Sequence, residues 1–402
     1  MSGMNMLDVL LLLAAVWFAV VGYRQGFVVG ILSVAGFLGG GLIALYILPV
    51  IWNRISSGAE PGPIGVIVAV VIVIVCACSG QALTTHLGNK LRRHITWSPA
   101  KALDATGGAL VNVMAMLLVA WLIGSALATT TLPTLGREVR TSRVLLGVSQ
   151  VMPVEAGTWM NDFSAILAQH GFPQVFAPFT NEPITRVDPP DPALAGSPVI
   201  EQAAGSIVRV SGTASGCGKV LEGSGFVFAE DKVMTNAHVV GGVTEPTVQI
   251  RGEGKLYDGR VVLYDWESDV AILDVPGLDA PPLEFSDRDA LSGDDAVIAG
   301  FPESGPFDVR PARVRERFTA NGPDIYRRGT VSRDVYSLYS MVRQGNSGGP
   351  LLTPEGEVYG LVFAKSLDDD NTGYALTLEE IEDTIERGMT ATAPVDSQNC
   401  AM

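Results

Sequence analysis

The chain has 402 residues, of which 48% are hydrophobic and only 17% are charged. Charged residues average about 25% in soluble domains, so this composition excludes a disordered chain and indicates that part of it lies in lipid. The net charge is −15, and residues 201–402 contain 17 Lys and Arg against 33 Asp and Glu. An acidic half argues against nucleic-acid binding, because phosphate contacts are made chiefly by Lys and Arg.

Four apolar stretches in the first half are long enough to cross a membrane as helices. They cover residues 7–23, 27–50, 63–85 and 106–128, and a helix needs roughly 17 to 25 residues to cross hydrocarbon. A signal peptide is the alternative for the first stretch, but no Lys or Arg precedes it and three more spans follow. Because few ionisable residues interrupt the spans, an anchor or scaffold is favoured over a transporter.

The charges of the short connections predict how the spans are oriented. The connection after the second span contains Arg54 alone. The connections after the first and third spans are more basic and contain Arg24, Lys90, Arg92, Arg93 and Lys101. The positive-inside rule places this set in the cytoplasm, so four crossings leave both termini outside. The opposite orientation is favoured by three arginines soon after the fourth span, namely Arg137, Arg140 and Arg143.

The residues between the spans and the acidic half contain two stretches with helical spacing. Residues 144–151 are predicted to form a short amphipathic helix at the membrane surface, and residues 159–167 have the same periodicity. Residues 188–198 read DPPDPALAGSP and are predicted to be an extended linker, since proline fixes φ and removes a donor. We therefore expect a membrane domain at 1–130, a connecting segment at 131–198, a second domain at 199–390 and a tail at 391–402.

The second half consists of about ten short β-branched runs separated by Gly, Asp and Pro, for example SIVRV, GFVFA and VYGLVFA. With hardly a helical pattern before residue 378, these runs predict an antiparallel barrel or sandwich. The segment TLEEIEDTIERG is predicted to be a short closing helix. Thr377 would be its N-cap, Glu380 follows three residues later, and Gly388 would lie after its end.

The acidic half contains a single histidine, His238, in the motif TNAHVV. A lone histidine is more often structural, but Asp269 in ESDVAIL and Ser347 in QGNSGGP accompany it. A serine hydroxyl needs an adjacent base, and imidazole, titrating near ~6.5, accepts that proton and returns it to the leaving amine. A buried carboxylate fixes the imidazole tautomer. The sequence thus predicts His238 as base, Asp269 as its orienting group and Ser347 as nucleophile.

The surroundings of Ser347 predict an oxyanion hole. The glycines let the backbone turn so that the N–H groups of Gly345 and Ser347 converge on the carbonyl oxygen of a substrate. The chain order His, Asp, Ser is typical of chymotrypsin-like double barrels, whereas subtilisins and α/β-hydrolases use other orders. The predicted fold is therefore an N-terminal all-α transmembrane domain of four helices and a C-terminal all-β chymotrypsin-like double β-barrel.

The motifs GSGFVF, TNAHVV, DVAIL, GFP and GNSGGPLL resemble the protease domain of the trypsin-like HtrA group over about residues 200–390. With four N-terminal spans, the whole chain resembles the MarP-like membrane-anchored serine proteases of mycobacteria, whose membrane part is similar to the colicin V production (CvpA) family. This resemblance implies a multi-pass inner-membrane protein with a periplasmic serine endopeptidase domain. It also implies protein or peptide substrates in the cell envelope and a role in acid and oxidative stress resistance. No cofactor or metal is expected.

Three features depart from related enzymes or stay open. Only about a dozen residues follow residue 390, so the PDZ domain of typical HtrA proteins is not expected. Asn346 stands where digestive proteases carry an Asp that pairs with a newly cut N-terminus, so activation by N-terminal insertion is not expected. The primary substrate pocket is expected to be apolar, although an arginine in it would favour acidic side chains; its predicted lining is Met341, Arg343, Val362 and Phe363.

The cysteines fall into two groups. Cys217 and Cys400 bracket the acidic half and are predicted to form a disulfide, since oxidising compartments favour pairing. Closing so long a loop stabilises a fold by up to about 5 kcal/mol in the chain-entropy model, and redox control through this pair is a hypothesis. Cys76 and Cys78 are predicted to be small apolar fillers of a membrane helix. The alternative to a protease is an inactive membrane scaffold or transport component that binds peptides by strand addition.

Overall fold

The computed structural model describes residues 4–55, 63–94, 97–128, 133–152, 173–176, 180 and 182–401. The chain forms two compact units. Unit 1 comprises Met1–Gly124 with Ser142–Val151, and unit 2 comprises Ser125–Thr141 with Met152–Met402. The predicted domain boundaries at residues 130, 198 and 390 stay predictions.

Unit 1 is built from long apolar helices: α1 (Met6–Gln25), α2 (Phe27–Ile55), α3 (Pro63–Arg92) and α4 (Ser98–Ala128). All four are long and apolar enough to cross a membrane, and four such helices in the described part of the chain agree with the predicted number. The third helix continues to Arg92 instead of ending at residue 85, and the fourth begins at Ser98 instead of residue 106. Hydropathy marks only the part suited to hydrocarbon, whereas helical hydrogen bonding continues into the polar flanks.

Close backbone approach joins α2 to α3. A Cβ on Gly40 would lie 2.3 Å from the carbonyl oxygen of Cys76, and one on Gly80 would lie 2.3 Å from that of Gly36. Such small residues let helix backbones pack where no hydrophobic driving force exists in lipid. Cys76 is half-buried and Cys78 is exposed, and both are free thiols.

The short helix predicted at residues 144–151 is present as α6 (Arg143–Val151), after α5 (Pro133–Arg140) in unit 2. Buried Asp8 holds the start of α6, accepting hydrogen bonds from the Ser142 hydroxyl at 2.6 Å and the Val144 N–H at 3.1 Å. The second predicted amphipathic stretch, residues 159–167, lies outside the described residues.

The proline-rich linker is extended only in part. Pro192–Gly196 forms a 3₁₀ turn, and Pro198–Ala203 forms the helix α7. The Asp191 side chain accepts the Ala193 N–H at 2.9 Å and thereby caps the turn. The expectation of an extended chain is wrong from Pro192 onward because proline also suits the first position of a helical turn, where its missing N–H costs nothing.

Unit 2 contains two curled antiparallel sheets, which confirms the chymotrypsin-like fold. The first sheet has the order β5-β4-β1-β2-β3-β7-β6, and the second closes as β10-β13-β12-β11-β8-β9. The first set of strands is β1 (Ile207–Ala214), β2 (Lys219–Ala229), β3 (Lys232–Thr235), β4 (Thr247–Ile250), β5 (Leu256–Asp258), β6 (Arg260–Asp265) and β7 (Val270–Asp274). The second set is β8 (Asp295–Gly300), β9 (Asp308–Pro323), β10 (Thr330–Tyr339), β11 (Pro350–Leu352), β12 (Val358–Lys365) and β13 (Thr372–Thr377).

One cluster of buried side chains joins the two sheets. Phe226 and Ile272 from the first sheet and Leu361 and Phe363 from the second belong to a single cluster of buried side chains. Burial of apolar surface, at about 25 cal/mol per Å², is the main term that holds such a domain together. The shared core also fixes the cleft between the sheets.

Two further helices of unit 2 lie among its strands in the described residues 207–401, α8 (Ala237–Val240) after β3 and α9 (Leu378–Thr390) after β13. Thr377 caps α9 as predicted, accepting the Glu380 N–H at 3.1 Å. The predicted end is wrong, because α9 passes through Gly388. A Cβ on Gly388 would lie 1.9 Å from Cδ1 of Ile272, so this glycine permits close packing onto β7 and does not end the helix.

Candidate active site

His238 and Asp269 meet at one end of the neighbouring strands β3 and β7, in the interior of the first sheet. His238 lies on α8, immediately after β3, and Asp269 lies immediately before β7, the neighbour of β3 in the sheet. The Nδ1 atom of His238 is 2.7 Å from Oδ2 of Asp269, and the His238 backbone N–H donates to Oδ1 at 2.9 Å. The Asp269 carboxylate is therefore bound through both oxygens to the same histidine.

The backbone around Asp269 is constrained to present that carboxylate. Asp269 is fully buried and has φ 65°, a left-handed conformation that Asp tolerates better than most residues. The Asn236 side-chain amide donates to the Asp269 carbonyl oxygen at 2.7 Å. The imidazole itself is 18% exposed, so the base faces solvent while its partner does not.

Ser347 lies in the loop before β11, and Ser224 of β2 secures this loop to the first sheet. The Ser224 N–H donates to the Ser347 carbonyl oxygen at 2.8 Å, and the Ser224 hydroxyl donates to the Gly345 carbonyl oxygen at 2.6 Å. Gly348, with φ 85°, passes so close that a Cβ would lie 2.1 Å from the Ser224 carbonyl oxygen. The glycines of GNSGGP are thus required by geometry.

The predicted oxyanion donors have a defined orientation. The Glu303 N–H donates to the Gln344 carbonyl oxygen at 2.6 Å. Because a trans peptide holds its C=O and N–H in opposite directions, the Gly345 N–H points away from Glu303. Within residues 182–401, neither the Gly345 N–H nor the Ser347 N–H forms a hydrogen bond with a protein group. Both donors are available to an external acceptor.

Ser347 and His238 line the same cavity of about 320 Å³. Within the described part of unit 2 they form no direct hydrogen bond, and the Ser347 hydroxyl instead lies 3.5 Å from the Phe363 carbonyl oxygen. Apo catalytic sites often have long or misaligned hydrogen bonds that tighten only with substrate. The structure thus joins the histidine to the aspartate and brings the serine into the same cavity.

The four residues predicted for the primary pocket do not line this cavity. Val362 and Phe363 are fully buried, Met341 is exposed, and an Arg343 Nη atom lies 3.7 Å from the Met341 sulfur. The charged residues that do line the cavity are Lys219, Glu222, Asp324 and Arg327. The pocket assignment stays a prediction. Asn346 is buried, and its Oδ1 accepts the Arg343 N–H at 3.3 Å.

Sequence analysis missed Arg333 of β10, which joins the elements that carry the site. Its Nε donates to the Glu267 carbonyl oxygen at 2.8 Å, two residues before Asp269, and Nη1 donates to the Pro323 carbonyl oxygen at 3.3 Å. Its guanidinium carbon lies 6.0 Å from the centroid of the Phe363 ring. The side chain is almost fully buried, and burial lowers its pKa. A basic residue within a strand gives no sequence signal for such a role.

Replacing Arg333 with methionine is expected to reduce kcat/KM by about a hundredfold, the cost of misplacing a catalytic group by about 1 Å. The loss should fall mainly on kcat, because the loop of Asp269 moves while substrate contacts remain. Arg317→Met removes an arginine of the same barrel that pairs with Asp334 and Glu379, and should lower stability only. Equal turnover of the two variants would exclude a positioning role.

A disulfide joins Cys217 to Cys400, as predicted. It holds a C-terminal tail that packs against the residues that follow His238. The Gly242 N–H donates to the Ser397 carbonyl oxygen at 3.0 Å, and the Ser397 hydroxyl donates to the Val243 carbonyl oxygen at 2.8 Å. Ala401, next to Cys400, lines the cavity of Ser347. The disulfide is therefore mechanically connected to the segment that follows the histidine.

Cys217→Ser is expected to lower the free energy of unfolding by up to about 5 kcal/mol and to reduce turnover, because the tail is no longer held against the residues after His238. Thermal unfolding and peptide hydrolysis, each with and without reductant, measure both effects. Cys78→Ser, which changes an exposed free thiol, is the control. A Cys217→Ser enzyme equal to the oxidised wild type in turnover and stability would refute the redox hypothesis.

Glu182, in the segment before the first sheet, inserts a carboxylate into the second barrel. It accepts the Leu367 N–H at 3.0 Å, contacts the Ser366 hydroxyl, and lies 3.0 Å from the Tyr374 hydroxyl. Burial raises the pKa of this carboxyl above its ordinary value. The folded state therefore favours the neutral acid, and this contribution to stability is lost as the pH rises from the ordinary carboxyl pKa through the raised value.

Glu182→Gln, which mimics the neutral acid, is expected to raise Tm at neutral pH and to lose that advantage below the ordinary carboxyl pKa. Tm measured against pH for variant and wild type tests this expectation. Glu201→Gln changes an exposed carboxylate paired with Arg251 and should give no such pH-dependent difference. A Glu182→Gln difference that is constant with pH would contradict the assignment.

Comparison with known proteins relates each unit to a family. Residues 7–153 match the model of the colicin V production protein family, and residues 223–361 match the trypsin-like peptidase domain. The serine protease Rv3671c of Mycobacterium tuberculosis (strain ATCC 25618 / H37Rv) is 37% identical over 402 residues, covering 100% of both chains.

A crystal structure of the active form of the Rv3671c protease from M. tuberculosis superposes with a TM-score of 0.54 and 44% identity. It covers 56% of this chain and 98% of that chain. The putative serine protease HhoB of Synechocystis is 31% identical over 168 residues, which are 41% of this chain and 39% of HhoB. The similarity to Rv3671c thus extends over both units, and that to HhoB over part of the chain.

Proposed function

This chain belongs to the family of the trypsin-like serine protease Rv3671c, and we propose that it cleaves peptide bonds with His238 as base, Asp269 as orienting group and Ser347 as nucleophile. The observation that carries the proposal is the 2.7 Å contact between His238 Nδ1 and a fully buried Asp269 carboxylate, in the same cavity as Ser347. Protein or peptide chains are the substrates of such an enzyme.

The first chemical step is attack of the Ser347 hydroxyl on the substrate carbonyl carbon. His238 accepts the hydroxyl proton at Nε2, since its Nδ1–H is engaged by Asp269, and later returns it to the leaving amine. Rotation about χ1 of Ser347 brings the hydroxyl from the Phe363 carbonyl towards the imidazole. Asp269 stays ionised, holds the imidazole in the productive tautomer and stabilises the imidazolium.

The N–H groups of Gly345 and Ser347 are proposed to bind the oxyanion of the tetrahedral intermediate. Their support is the Gln344 carbonyl held by Glu303, which turns the Gly345 N–H away from that contact. The loss of one such donor typically costs a hundredfold or more in kcat. Glu303 directly follows the motif GFP (residues 300–302), so this segment supports the oxyanion loop.

The four long helices are proposed to anchor the enzyme in the inner membrane with the protease unit on the periplasmic side. The basic connections after α1 and α3 support this orientation. One opposing residue, Arg140, is 96% buried and pairs with Asp368 at 2.5 Å within unit 2. The disulfide fits an oxidising compartment, and resistance to acid and oxidative stress is the physiological role we propose.

The experiment that tests the function is labelling with a fluorophosphonate, which reacts with an activated serine. The full-length protein should be labelled, and mass spectrometry should locate the adduct on Ser347 alone. Labelling in the presence and in the absence of reductant tests the protein with its Cys217–Cys400 disulfide reduced and with it intact. A protein that stays unlabelled in both, or is labelled elsewhere, would favour the alternative of an inactive scaffold that binds peptides.

A further inference from the structure

A basic cavity lies in unit 1, far in the sequence from the protease residues. It has a volume of about 800 Å³ and is formed where α3 ends and α4 begins. Its lining consists of His86, Asn89, Lys90, Arg92, Arg93, Lys101 and Asp104. Four Lys and Arg side chains, one histidine and one asparagine surround a single carboxylate, so an anionic ligand fits the charge of this cavity.

The one carboxylate is already paired with one of these cations. Asp104 binds Nε of Arg92 at 2.7 Å through one oxygen and accepts the Val28 N–H at 3.0 Å through the other. Arg92 also donates to the Arg24 carbonyl oxygen at 2.5 Å. This pair, in which Asp104 is buried and Arg92 is 30% exposed, joins the turn between α1 and α2 to α3 and α4. It fixes the cavity wall, and one carboxylate offsets the charge of only one of the four Lys and Arg side chains.

The remaining cations lack a paired carboxylate among the described residues. Among the residues that the structure describes, Lys90, Arg93 and Lys101 form no ion pair and no side-chain hydrogen bond. All three exposed side chains line one cavity, and an anion bound there would offset the repulsion between their charges. A positive-inside signal requires charges in the loop but does not require that they surround one cavity.

Exposed apolar side chains lie close to the lining residues in the sequence. Leu87, Leu91, Trp97 and Leu103 are all exposed, with Trp97 70% and Leu103 71% accessible. Tryptophan is enriched at the boundary between hydrocarbon and water. The cavity lies at the ends of two helices long and apolar enough to cross a membrane. A free phosphate ion would use only the cations, whereas a phospholipid also places its acyl chains against the apolar surface of such helices.

We propose that this cavity binds the phosphate headgroup of an anionic phospholipid. Lys90, Arg93 and Lys101 supply the charge, and the Arg92–Asp104 pair holds the wall. Basic pockets between membrane helices bind lipids of this class in other proteins. The membrane unit then binds one class of lipid in a defined site, in addition to being anchored by hydrophobic helices.

Native mass spectrometry of the full-length protein in detergent measures this binding without depending on insertion topology. Phosphatidylglycerol should bind more tightly than phosphatidylcholine. The variant Lys90→Gln/Arg93→Gln/Lys101→Gln should lose this preference, weakening phosphatidylglycerol binding by about a hundredfold, since each basic residue near an anionic surface contributes about a factor of five. The charge-retaining variant Lys90→Arg/Arg93→Lys/Lys101→Arg is the control and should keep most of it.

Three results would overturn the proposal. These are equal binding of the two lipids by the wild type, a kept preference for phosphatidylglycerol in the triple glutamine variant, and displacement of the lipid by inorganic phosphate at the same concentration as the lipid. Equal binding or a kept preference would leave the charges as a topology signal, and displacement by phosphate would identify a free-anion site. Hydrolysis of peptides by the same variants should be unchanged, which separates this site from the proteolytic function.

Discussion

Ser347→Ala is expected to reduce peptide hydrolysis by about a million-fold in kcat, the cost of removing the nucleophile of a working triad. Alanine removes only the hydroxyl, and Ser347 is almost fully buried in a loop fixed by main-chain hydrogen bonds to Ser224 and Val362. The fold and the oxyanion donors should therefore persist. Steady-state hydrolysis of a peptide library by the full-length protein measures the loss, and Tm verifies that the variant is folded.

Ser337→Ala is the matched control. Ser337 is fully buried in β10, and its hydroxyl has no hydrogen-bond partner within the described part of unit 2. The substitution deletes the same atom from the same kind of environment, outside the cavity. Turnover of this variant should equal that of the wild type. A Ser347→Ala protein that still hydrolyses peptides at a comparable rate would show that another residue is the nucleophile.

The family and fold were predictable because the sequence carries patterns that few folds share. The order of His238, Asp269 and Ser347 indicates a chymotrypsin-like double barrel, and the four spans follow from hydropathy alone. The full-length similarity to Rv3671c and the two family models confirm the resemblance. The pairing of Cys217 with Cys400 was predictable because only these two cysteines lie outside the apolar spans.

Features that depend on three-dimensional packing were not predictable. Gly388 has the sequence position of a helix end, yet it lies within α9 because Ile272 packs against it. Arg333 looks like any exposed strand residue, but its buried side chain connects Glu267 to Pro323. Ser224 belongs to the motif GSGFVF, but the motif does not predict its hydrogen bonds to the loop of Ser347. Each role depends on a contact between residues far apart in sequence, which no local pattern encodes.

Asp269→Asn is expected to lower kcat by about ten-thousandfold while leaving the fold intact. In the wild type both carboxylate oxygens accept from His238, one from the backbone N–H and the other from Nδ1–H. Asparagine supplies only one acceptor oxygen. If that oxygen binds the backbone N–H, its NH2 group faces Nδ1 and favours the tautomer protonated at Nε2. That tautomer is unable to accept the proton of Ser347, and the negative charge that stabilises the imidazolium is lost as well.

Asp274→Asn, at the other end of the same strand, separates this effect from a general loss of buried charge. Asp274 is also buried and pairs with Lys232 at 2.7 Å and with Arg260 at 3.0 Å. The control should lower Tm, because Lys232 loses its buried partner, and leave kcat of the folded enzyme unchanged. Hydrolysis rates and thermal unfolding of both variants give the comparison. A kcat for Asp269→Asn within tenfold of the wild type would mean that the carboxylate serves folding and that another group orients His238.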